Sequence, residues 1–113
     1  MEIKLSRNND DMYLLELSGS LDLYSANQLK DLVMKIISKK AERFIIDLSK
    51  VDNVNSSGIG ALIFVSSTLK KLQCPLVIIV SEGPVLTALE VTRLKNYFSI
   101  APSLKEALSM AAK

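Results

Sequence analysis

Two short apolar runs, at residues 44–48 and 75–80, constrain the fold of this chain more than any other feature. Each has the length of a β-strand, and neither shows the alternation typical of a strand with one solvated face. Such runs are typical of parallel strands that are covered on both faces. Parallel neighbours need a long connection, and the sequence from Asn55 to about Leu72 predicts a helix in that position.

The N-terminal part predicts an antiparallel hairpin followed by a helix. Residues 2–7 alternate apolar and polar side chains, residues 12–18 are rich in β-forming residues and leucine, and a polar stretch at 8–11 separates them. A first amphipathic helix is expected from the capping-box spacing of Ser25 and Gln28, which precedes a stripe of apolar residues.

The C-terminal part predicts two more helices and a short strand. Pro84 suits the first position of a helix, a strand is expected near residues 97–100, and a capping-box spacing of Ser103 and Glu106 starts a final helix. The apolar side of that helix is expected to consist of Ala107, Leu108 and Ala111. The predicted fold class is α/β, with a single domain over residues 1–113, a mixed sheet that is antiparallel at its first hairpin and parallel later, and about four helices.

Composition excludes several classes of function. The chain has no histidine, which removes the usual general base and the commonest metal ligand, so we expect neither a metal nor a cofactor. Cys74 is the only cysteine, which rules out an internal disulfide and suits a reducing cytoplasm. No apolar run approaches the roughly 18 residues of a membrane span. The basic residues form no stripe for nucleic acid, so we expect a cytoplasmic protein without membrane or direct nucleic-acid partners.

An acid pair is the remaining enzymatic alternative. Asp22 and Asp47 are the only acids near predicted strand ends, and a hydrolase could use two such carboxylates if they lay close together. The chain lacks a phosphate-binding loop and a dinucleotide fingerprint. Because no nucleophile can be paired with a base in a chain without histidine, we expect that the protein is not an enzyme.

The segment from residue 47 to residue 58 joins a predicted strand to the start of the second helix. On loop chemistry alone, it is a polar loop that ends in an N-cap serine. The alternative is a phosphoacceptor site on a serine at this helix start. A phosphate at a helix N-terminus adds about −1.5 to −2 charges where unpaired N–H groups and the helix dipole tolerate them. Phosphorylation there would change the surface and leave the fold intact.

Residues 55–60, with the sequence Asn-Ser-Ser-Gly-Ile-Gly, resemble the Asp-Ser-Ser/Thr-Gly-Leu-Gly motif of the STAS domain family. This family includes anti-sigma factor antagonists and the cytoplasmic parts of sulfate transporters. The similarity extends to residues 17–22, 44–51 and 86–108, so it spans nearly the whole chain. The length of the chain resembles that of the free-standing antagonists.

The resemblance implies a cytoplasmic partner switch. An unphosphorylated antagonist binds an anti-sigma factor that is also its serine kinase, which frees the sigma factor, and a serine phosphatase later resets the antagonist. The motif places the phosphoacceptor directly before its first glycine, which is Ser57 here, with Asn55, Ser56, Gly58 and Asp22 as flanking residues. The alternative within the same fold is a non-switching scaffold or a small-ligand-binding module in a larger regulatory assembly.

Two positions depart from the family pattern. Asn55 stands where the family commonly has aspartate, which removes a carboxylate but keeps a capping side chain. If that carboxylate assists phosphoryl transfer, transfer to Ser57 is slow in this chain. Arg93 stands where the family often has glycine, so a left-handed helix end at this residue would cost about 1 kcal/mol.

The second helix also predicts a surface for a partner. At about 100° per residue, one broad side is apolar and must face the sheet. That side consists of Ile59, Ala61, Leu62, Ile63, Val65, Leu69 and Leu72. Phe64 projects from the opposite side, together with Gly60, Ser67, Thr68 and Lys71. Aromatic residues often anchor protein interfaces, so we predict that this second set binds the partner. The alternative is a Phe64 side chain that a neighbouring helix partly covers.

Overall fold

A computed structural model describes residues 1–7, 12–37 and 43–111. Within these ranges the chain forms five β-strands and four α-helices. The strands are β1 (Glu2–Arg7), β2 (Met12–Leu21), β3 (Arg43–Val54), β4 (Leu76–Ile79) and β5 (Ile100–Ala101). The helices are α1 (Leu23–Ile37), α2 (Ser56–Lys71), α3 (Pro84–Val91) and α4 (Leu104–Ala111). No helix in the described ranges combines the length and the apolar character needed to cross a bilayer.

The strands form one mixed sheet in the order β1-β2-β3-β4-β5. β1 and β2 are antiparallel, as the hairpin prediction requires, and each later pair is parallel. The two apolar runs lie in the adjacent strands β3 and β4, and α2 connects them. The predicted α/β fold with a mixed sheet and four helices is therefore confirmed. The polar turn expected at residues 8–11 lies outside the described residues.

The helices cover both faces of the sheet. Phe44 and Leu48 of β3 point to a core that lies under α1, α2 and α3. Ile45 points to the opposite face, where Ala107 and Ala111 of α4 form a smaller core with β3 and β4. Because successive residues of a strand face opposite sides, a strand that is covered on both faces must be apolar throughout. This double cover explains the apolar run that predicted β3.

β3 is longer than the apolar run. The strand continues to Val54, so the polar loop expected over residues 47–58 is wrong. β2 runs to Leu21 and pairs with β3 along the whole of this extension. The pairing contains two register shifts, and Gly19 beside one of them has a φ of 96°, which favours glycine. Pairing with β2 therefore keeps a polar segment in strand conformation.

The apolar side of α2 largely matches the prediction. Buried residues on this side are Ile59, Ala61, Leu62, Val65 and Leu69. Leu72 is an error in the prediction, because it is 51% exposed. The helix ends at Lys71, so the spacing of 100° per residue no longer applies to Leu72. Leu108 of α4 was also assigned to an apolar core side and is instead 39% exposed, because only small alanines of that helix reach the sheet.

Arg93 ends α3 in a left-handed conformation, with a φ of 60°. The Leu94 N–H donates to the Leu89 carbonyl oxygen at 2.8 Å, and the Arg93 N–H donates to the Glu90 carbonyl oxygen at 3.1 Å. This pair of bonds is a Schellman motif, in which glycine is the usual residue. Arg93 therefore takes the left-handed helix end that costs a non-glycine residue about 1 kcal/mol. Gln73, with a φ of 57°, follows α2 in the same conformation.

Candidate functional site

The predicted phosphoacceptor lies at the start of α2, at the edge of the sheet where β2 and β3 end. Leu21, the last residue of β2, pairs with Val54, the last residue of β3. The Asn55 N–H donates a hydrogen bond to the Leu21 carbonyl oxygen at 3.2 Å, which ties the two strand ends together. Asp22 and Asn55 follow these strand ends directly, so α1 and α2 begin at the same edge of the sheet.

Asn55 is the N-cap of α2. Its backbone is extended, and its side-chain Oδ1 accepts a hydrogen bond from the Gly58 N–H at 3.1 Å. The Asn55 carbonyl oxygen accepts a further bond from the Ile59 N–H at 3.1 Å. The prediction of a serine cap is therefore wrong, because an asparagine takes that role. The prediction that Asn55 keeps the capping function of an aspartate is confirmed.

Ser56 and Ser57 occupy the first two positions of α2. The Ser56 residue is exposed and the Ser57 residue is partly buried. Within the described part of the chain, neither backbone N–H has a hydrogen-bond acceptor, and the first turn of α2 contains no acidic residue. The start of the helix therefore presents two N–H donors and the positive end of its dipole. An anion attached to a nearby hydroxyl would be stabilised there.

Gly58 packs directly against the end of β2. A β-carbon at this position would contact the Leu21 carbonyl oxygen, and it would lie 2.7 Å from Leu21 Cγ and 3.0 Å from Val54 Cγ2. The carbonyl oxygen belongs to the paired backbone and cannot move aside without disturbing the strand end. Glycine therefore allows the first turn of α2, including Ser57, to lie close to the sheet.

Asp22 caps α1 through reciprocal hydrogen bonds with Ser25. The Ser25 N–H donates to Asp22 Oδ1 at 3.0 Å, and the Asp22 N–H donates to Ser25 Oγ at 2.9 Å. The predicted capping box of Ser25 and Gln28 is wrong, because α1 already begins at Leu23. The observed capping box, formed by Asp22 and Ser25, has the same spacing as the predicted one. A serine takes the third helical position, where a glutamate or glutamine is usual.

The stability of the folded protein at acid pH should depend on Asp22. Hydrogen bonds from the Ser25 N–H and hydroxyl hold the pKa of Asp22 below its usual range. The ionised carboxylate therefore stabilises the folded chain above the ordinary aspartate pKa, and this contribution is lost as the pH falls through the lowered value. We expect stability below about pH 4 to fall more steeply in the wild type than in Asp22→Asn, whose amide oxygen still caps α1 but does not titrate. Urea unfolding at a series of pH values measures this difference, and parallel pH profiles would contradict it.

Asp22 and Asp47 do not form an acid pair. Asp47 lies opposite Glu16, whereas Asp22 follows the pair that ends β2 and β3. At about 3.3 Å per residue, the part of β3 between Asp47 and Val54 is roughly 20 Å long. The Asp47 carboxylate instead accepts hydrogen bonds from the Ser49 N–H at 2.9 Å and the Ser49 hydroxyl at 2.6 Å. The hydrolase alternative therefore lacks its two neighbouring carboxylates.

An open groove of about 540 Å³ lies between the first turn of α2 and α3. Its apolar lining consists of Val54, Ile59, Pro84, Ala88 and Val91, and its polar lining of Asn55, Ser56, Thr87 and Thr92. Sequence analysis missed this groove because α3 is distant from α2 along the chain. Val91, which lines the groove at the end of α3, is 76% exposed, and no local sequence pattern indicates that exposure.

The predicted partner surface lies on the outer side of α2. Phe64 is 45% exposed, and Lys30 of α1 places its Nζ 5.6 Å from the centre of the Phe64 ring. Gly60 and Lys71 are exposed, and Ser67 and Thr68 are partly buried. The orientation predicted for Phe64 is confirmed, and α1 covers part of the ring. The Thr68 hydroxyl is engaged within the helix, since it donates to the Phe64 carbonyl oxygen at 2.8 Å.

Known proteins resemble this chain over most of its length. BtrV of Bordetella bronchiseptica, which is named as an anti-sigma factor antagonist, is 27% identical over 104 residues that cover 92% of this chain and 89% of BtrV. An anti-sigma factor antagonist from Mycobacterium paratuberculosis has the same fold, with a TM-score of 0.88 at 20% identity, over 99% of this chain and 94% of that one.

SpoIIAA of Bacillus, also an anti-sigma factor antagonist, has this fold at 17% identity in two forms. The unphosphorylated form has a TM-score of 0.82 over 98% of this chain and 96% of its own. The phosphorylated form has a TM-score of 0.74 over 96% of this chain and 98% of its own. At these identities the structural likeness establishes the fold alone.

The family match has the same extent as the fold. The model of the STAS domain family matches residues 4–107, from β1 into α4. This range includes both strand ends and the start of α2 that carries Ser57. The chain belongs to the STAS domain family.

Proposed function

We propose that this protein is a cytoplasmic anti-sigma factor antagonist that phosphorylation controls. The unphosphorylated chain binds an anti-sigma factor with serine kinase activity and thereby frees the sigma factor. The kinase transfers the γ-phosphoryl group of ATP to the Ser57 hydroxyl oxygen, with release of ADP and the hydroxyl proton. A serine phosphatase then hydrolyses the phosphoester. Membership of the STAS family and the names of the relatives support this proposal.

The observation that carries the proposal is the position of Ser57 at the start of α2. The backbone N–H groups of Ser56 and of Ser57 itself have no acceptor in the described chain, and Asn55 caps the helix without adding a negative charge. A phosphate on Ser57 would therefore meet donors and a favourable dipole. Ser56 and Gly58 flank the acceptor, and Asp22 lies at the neighbouring strand end, where its carboxylate is engaged by Ser25.

Phosphoryl transfer to Ser57 is the direct test. Incubation with labelled ATP and an anti-sigma factor that has serine kinase activity should label the wild type and leave Ser57→Ala unlabelled. Ser56→Ala is the matched control, because it removes a hydroxyl from the same turn, and it should be labelled. Labelling that persists in Ser57→Ala and disappears in Ser56→Ala would overturn the assignment.

Asn55→Asp tests the departure from the family motif. Aspartate and asparagine cap helices about equally well, so α2 should be retained. Faster transfer to Ser57 in this variant would show that a carboxylate at position 55 aids the chemistry. An unchanged rate would show that the family residue acts only as a cap.

Phe64→Ala should separate partner binding from stability. Because the side chain is 45% exposed, its loss should leave the unfolding midpoint nearly unchanged. The dissociation constant for the anti-sigma factor should rise at least about tenfold, which corresponds to about 1.4 kcal/mol. Leu72→Ala, which truncates a leucine of similar exposure at the far end of α2, is the control and should change neither quantity. Calorimetric titration measures binding, and a large loss of stability in Phe64→Ala would contradict the surface assignment.

The groove between α2 and α3 favours a second candidate function. A space of about 540 Å³ with a mostly apolar lining is large enough for a small molecule, and Ser57 would then act only in helix packing. In that case the chain would be a non-switching scaffold or a small-ligand-binding module in a larger assembly. Absence of Ser57 phosphorylation with every candidate kinase, together with a small molecule that co-purifies with the wild type, would favour this alternative.

A further inference from the structure

β1 is an edge strand whose outer side has no partner strand in the described part of the chain. It pairs with β2 in an antiparallel ladder that runs without a register shift from Glu2 opposite Ser18 to Arg7 opposite Tyr13. β1 contains no proline and no bulge, which are common features that prevent an edge from pairing. Its outward N–H and C=O groups are therefore available to a further strand.

The apolar face of β1 is incompletely covered. Ile3 lies opposite Leu17, and Leu5 lies opposite Leu15, on the side of the larger core. Leu5 is nevertheless 42% exposed. An additional strand beside β1 would place a new apolar neighbour next to this side chain and reduce its exposure.

The polar face of β1 carries one acid and one base. Lys4 lies opposite Glu16 of β2, so it already has an oppositely charged neighbour across the strand pair. Glu2 lies opposite the uncharged Ser18. Glu2 and Lys4 therefore form a short pattern of opposite charges that an antiparallel copy of the same strand can complement.

We propose that β1 pairs antiparallel with β1 of a second copy of this chain, around a two-fold axis at Ile3. This register places Ile3 opposite Ile3 of the second copy, Glu2 opposite Lys4 of the second copy, and Leu5 opposite Met1 of the second copy. The apolar row formed by Leu17 and Ile3 continues into the same row of the other molecule. On the polar face, each Lys4 is flanked by Glu16 of its own chain and Glu2 of the other.

The neighbouring registers are less favourable. The apolar faces of the two copies lie on the same side only if the two-fold axis is perpendicular to the sheet. Directly opposed residues of antiparallel strands point to the same face, so this axis passes through a residue and not between two residues. An axis at Glu2 or Lys4 places like charges opposite each other, which is destabilising. An axis at Leu5 places Ile3 opposite Arg7. The axis at Ile3 is the register in which three apolar pairs form, one of Ile3 with Ile3 and two of Leu5 with Met1, together with two pairs of opposite charges.

The proposed dimer is independent of the proposed function. β1 is separated from β3 by β2, and Ser57 follows β3, so pairing at the β1 edge leaves both copies of the Ser57 turn uncovered. The dimer would present two such sites on one continuous sheet. A failure of dimerisation therefore leaves the Ser57 proposal standing, and a failure of Ser57 phosphorylation leaves the dimer standing.

Charge reversal tests the register. Sedimentation equilibrium of the wild type should give a mass that rises with concentration from 12.4 kDa toward twice that value. Glu2→Lys and Lys4→Glu should each raise the dimer dissociation constant at least about tenfold, because each places like charges across the axis. The double variant Glu2→Lys/Lys4→Glu again places opposite charges across the axis. Its dimer dissociation constant should therefore be lower than that of Lys4→Glu, although Glu16 still lies beside position 4 within the chain. A mass that stays at 12.4 kDa at every concentration up to about 1 mM, or a double variant weaker than both single variants, would overturn the proposal.

Disulfide trapping tests the axis directly and does not depend on affinity. In a Cys74→Ser background, Ile3→Cys should form a covalent dimer under mild oxidation, because opposed residues of antiparallel strands lie about 4.5–5.5 Å apart at Cα. Leu5→Cys is the matched control. Its two copies would be offset by roughly 14 Å along the strands and should not cross-link. Cross-linking of Leu5→Cys without cross-linking of Ile3→Cys would place the axis elsewhere and contradict the proposed register. Circular dichroism of each variant confirms that it is folded.

Discussion

Gly58→Ala is expected to lower the free energy of unfolding by about 2 kcal/mol or more, although alanine is the better helix former. The new β-carbon would overlap the Leu21 carbonyl oxygen and crowd Leu21 Cγ and Val54 Cγ2. Relief of these contacts requires the first turn of α2 to move away from the strand ends. Such a shift would also break or lengthen the hydrogen bond between the Asn55 N–H and the Leu21 carbonyl oxygen.

Gly60→Ala is the matched control for this prediction. It makes the same substitution in the same helix, but among the described residues the added β-carbon meets no heavy atom within 4 Å apart from its chain neighbours and the backbone of its own helix. The variant should therefore gain about 0.5–1 kcal/mol from helix propensity and from a less flexible unfolded chain. Urea unfolding followed by circular dichroism should show shifts of opposite sign for the two glycines. Equal stability of both variants would mean that Gly58 is not packed against β2 as described.

Phosphorylation of Ser57 should weaken the complex with the proposed anti-sigma factor by at least about 100-fold, which corresponds to about 2.7 kcal/mol. A dianion at an interface must be desolvated and paired, or it repels its surroundings. The fold should persist, because the two N–H groups at the start of α2 and its dipole favour an anion at this point. Binding is therefore lost without unfolding.

Two substitutions resolve the contribution of charge. Ser57→Ala should bind the anti-sigma factor about as well as the unphosphorylated wild type, because it adds no charge. Ser57→Asp should bind less tightly than Ser57→Ala and more tightly than the phosphorylated protein, in the order of the added negative charge. Calorimetric titration gives the affinities, and thermal unfolding confirms that each chain is folded. Equal affinity of the alanine variant and the phosphorylated protein would contradict a switch based on charge.

Much of the fold follows from local patterns. The apolar runs of β3 and β4, the amphipathic face of α2 and the proline that begins α3 each result from physical constraints within one segment, and each predicted its element. The exposed position of Phe64 also followed from helix geometry alone, since a side chain opposite the buried face of α2 has to project away from the sheet.

Other features depend on parts of the chain that meet only in the folded protein. The polar end of β3 is a strand because β2 pairs with it, and Leu72 is exposed because the chain turns at Gln73. The groove beside Ser56 exists because α3 returns to the start of α2. None of these features has a local pattern that the sequence could reveal.

The features of the site also fall into two groups, those that a local pattern predicts and those that depend on the folded protein. Local sequence was enough to predict that α2 begins within a STAS-like motif that contains Ser57, because the motif and the polar residues before the helix are properties of neighbouring residues. The Asp22 cap of α1 is also local, since it joins residues three positions apart, but a serine in place of the usual glutamate or glutamine concealed it. The folded chain alone shows that Asp22 and Asp47 lie apart and that Gly58 must lack a side chain. Both of these outcomes depend on the register of β2 against β3, and that register is set by contacts between residues that lie far apart in the sequence.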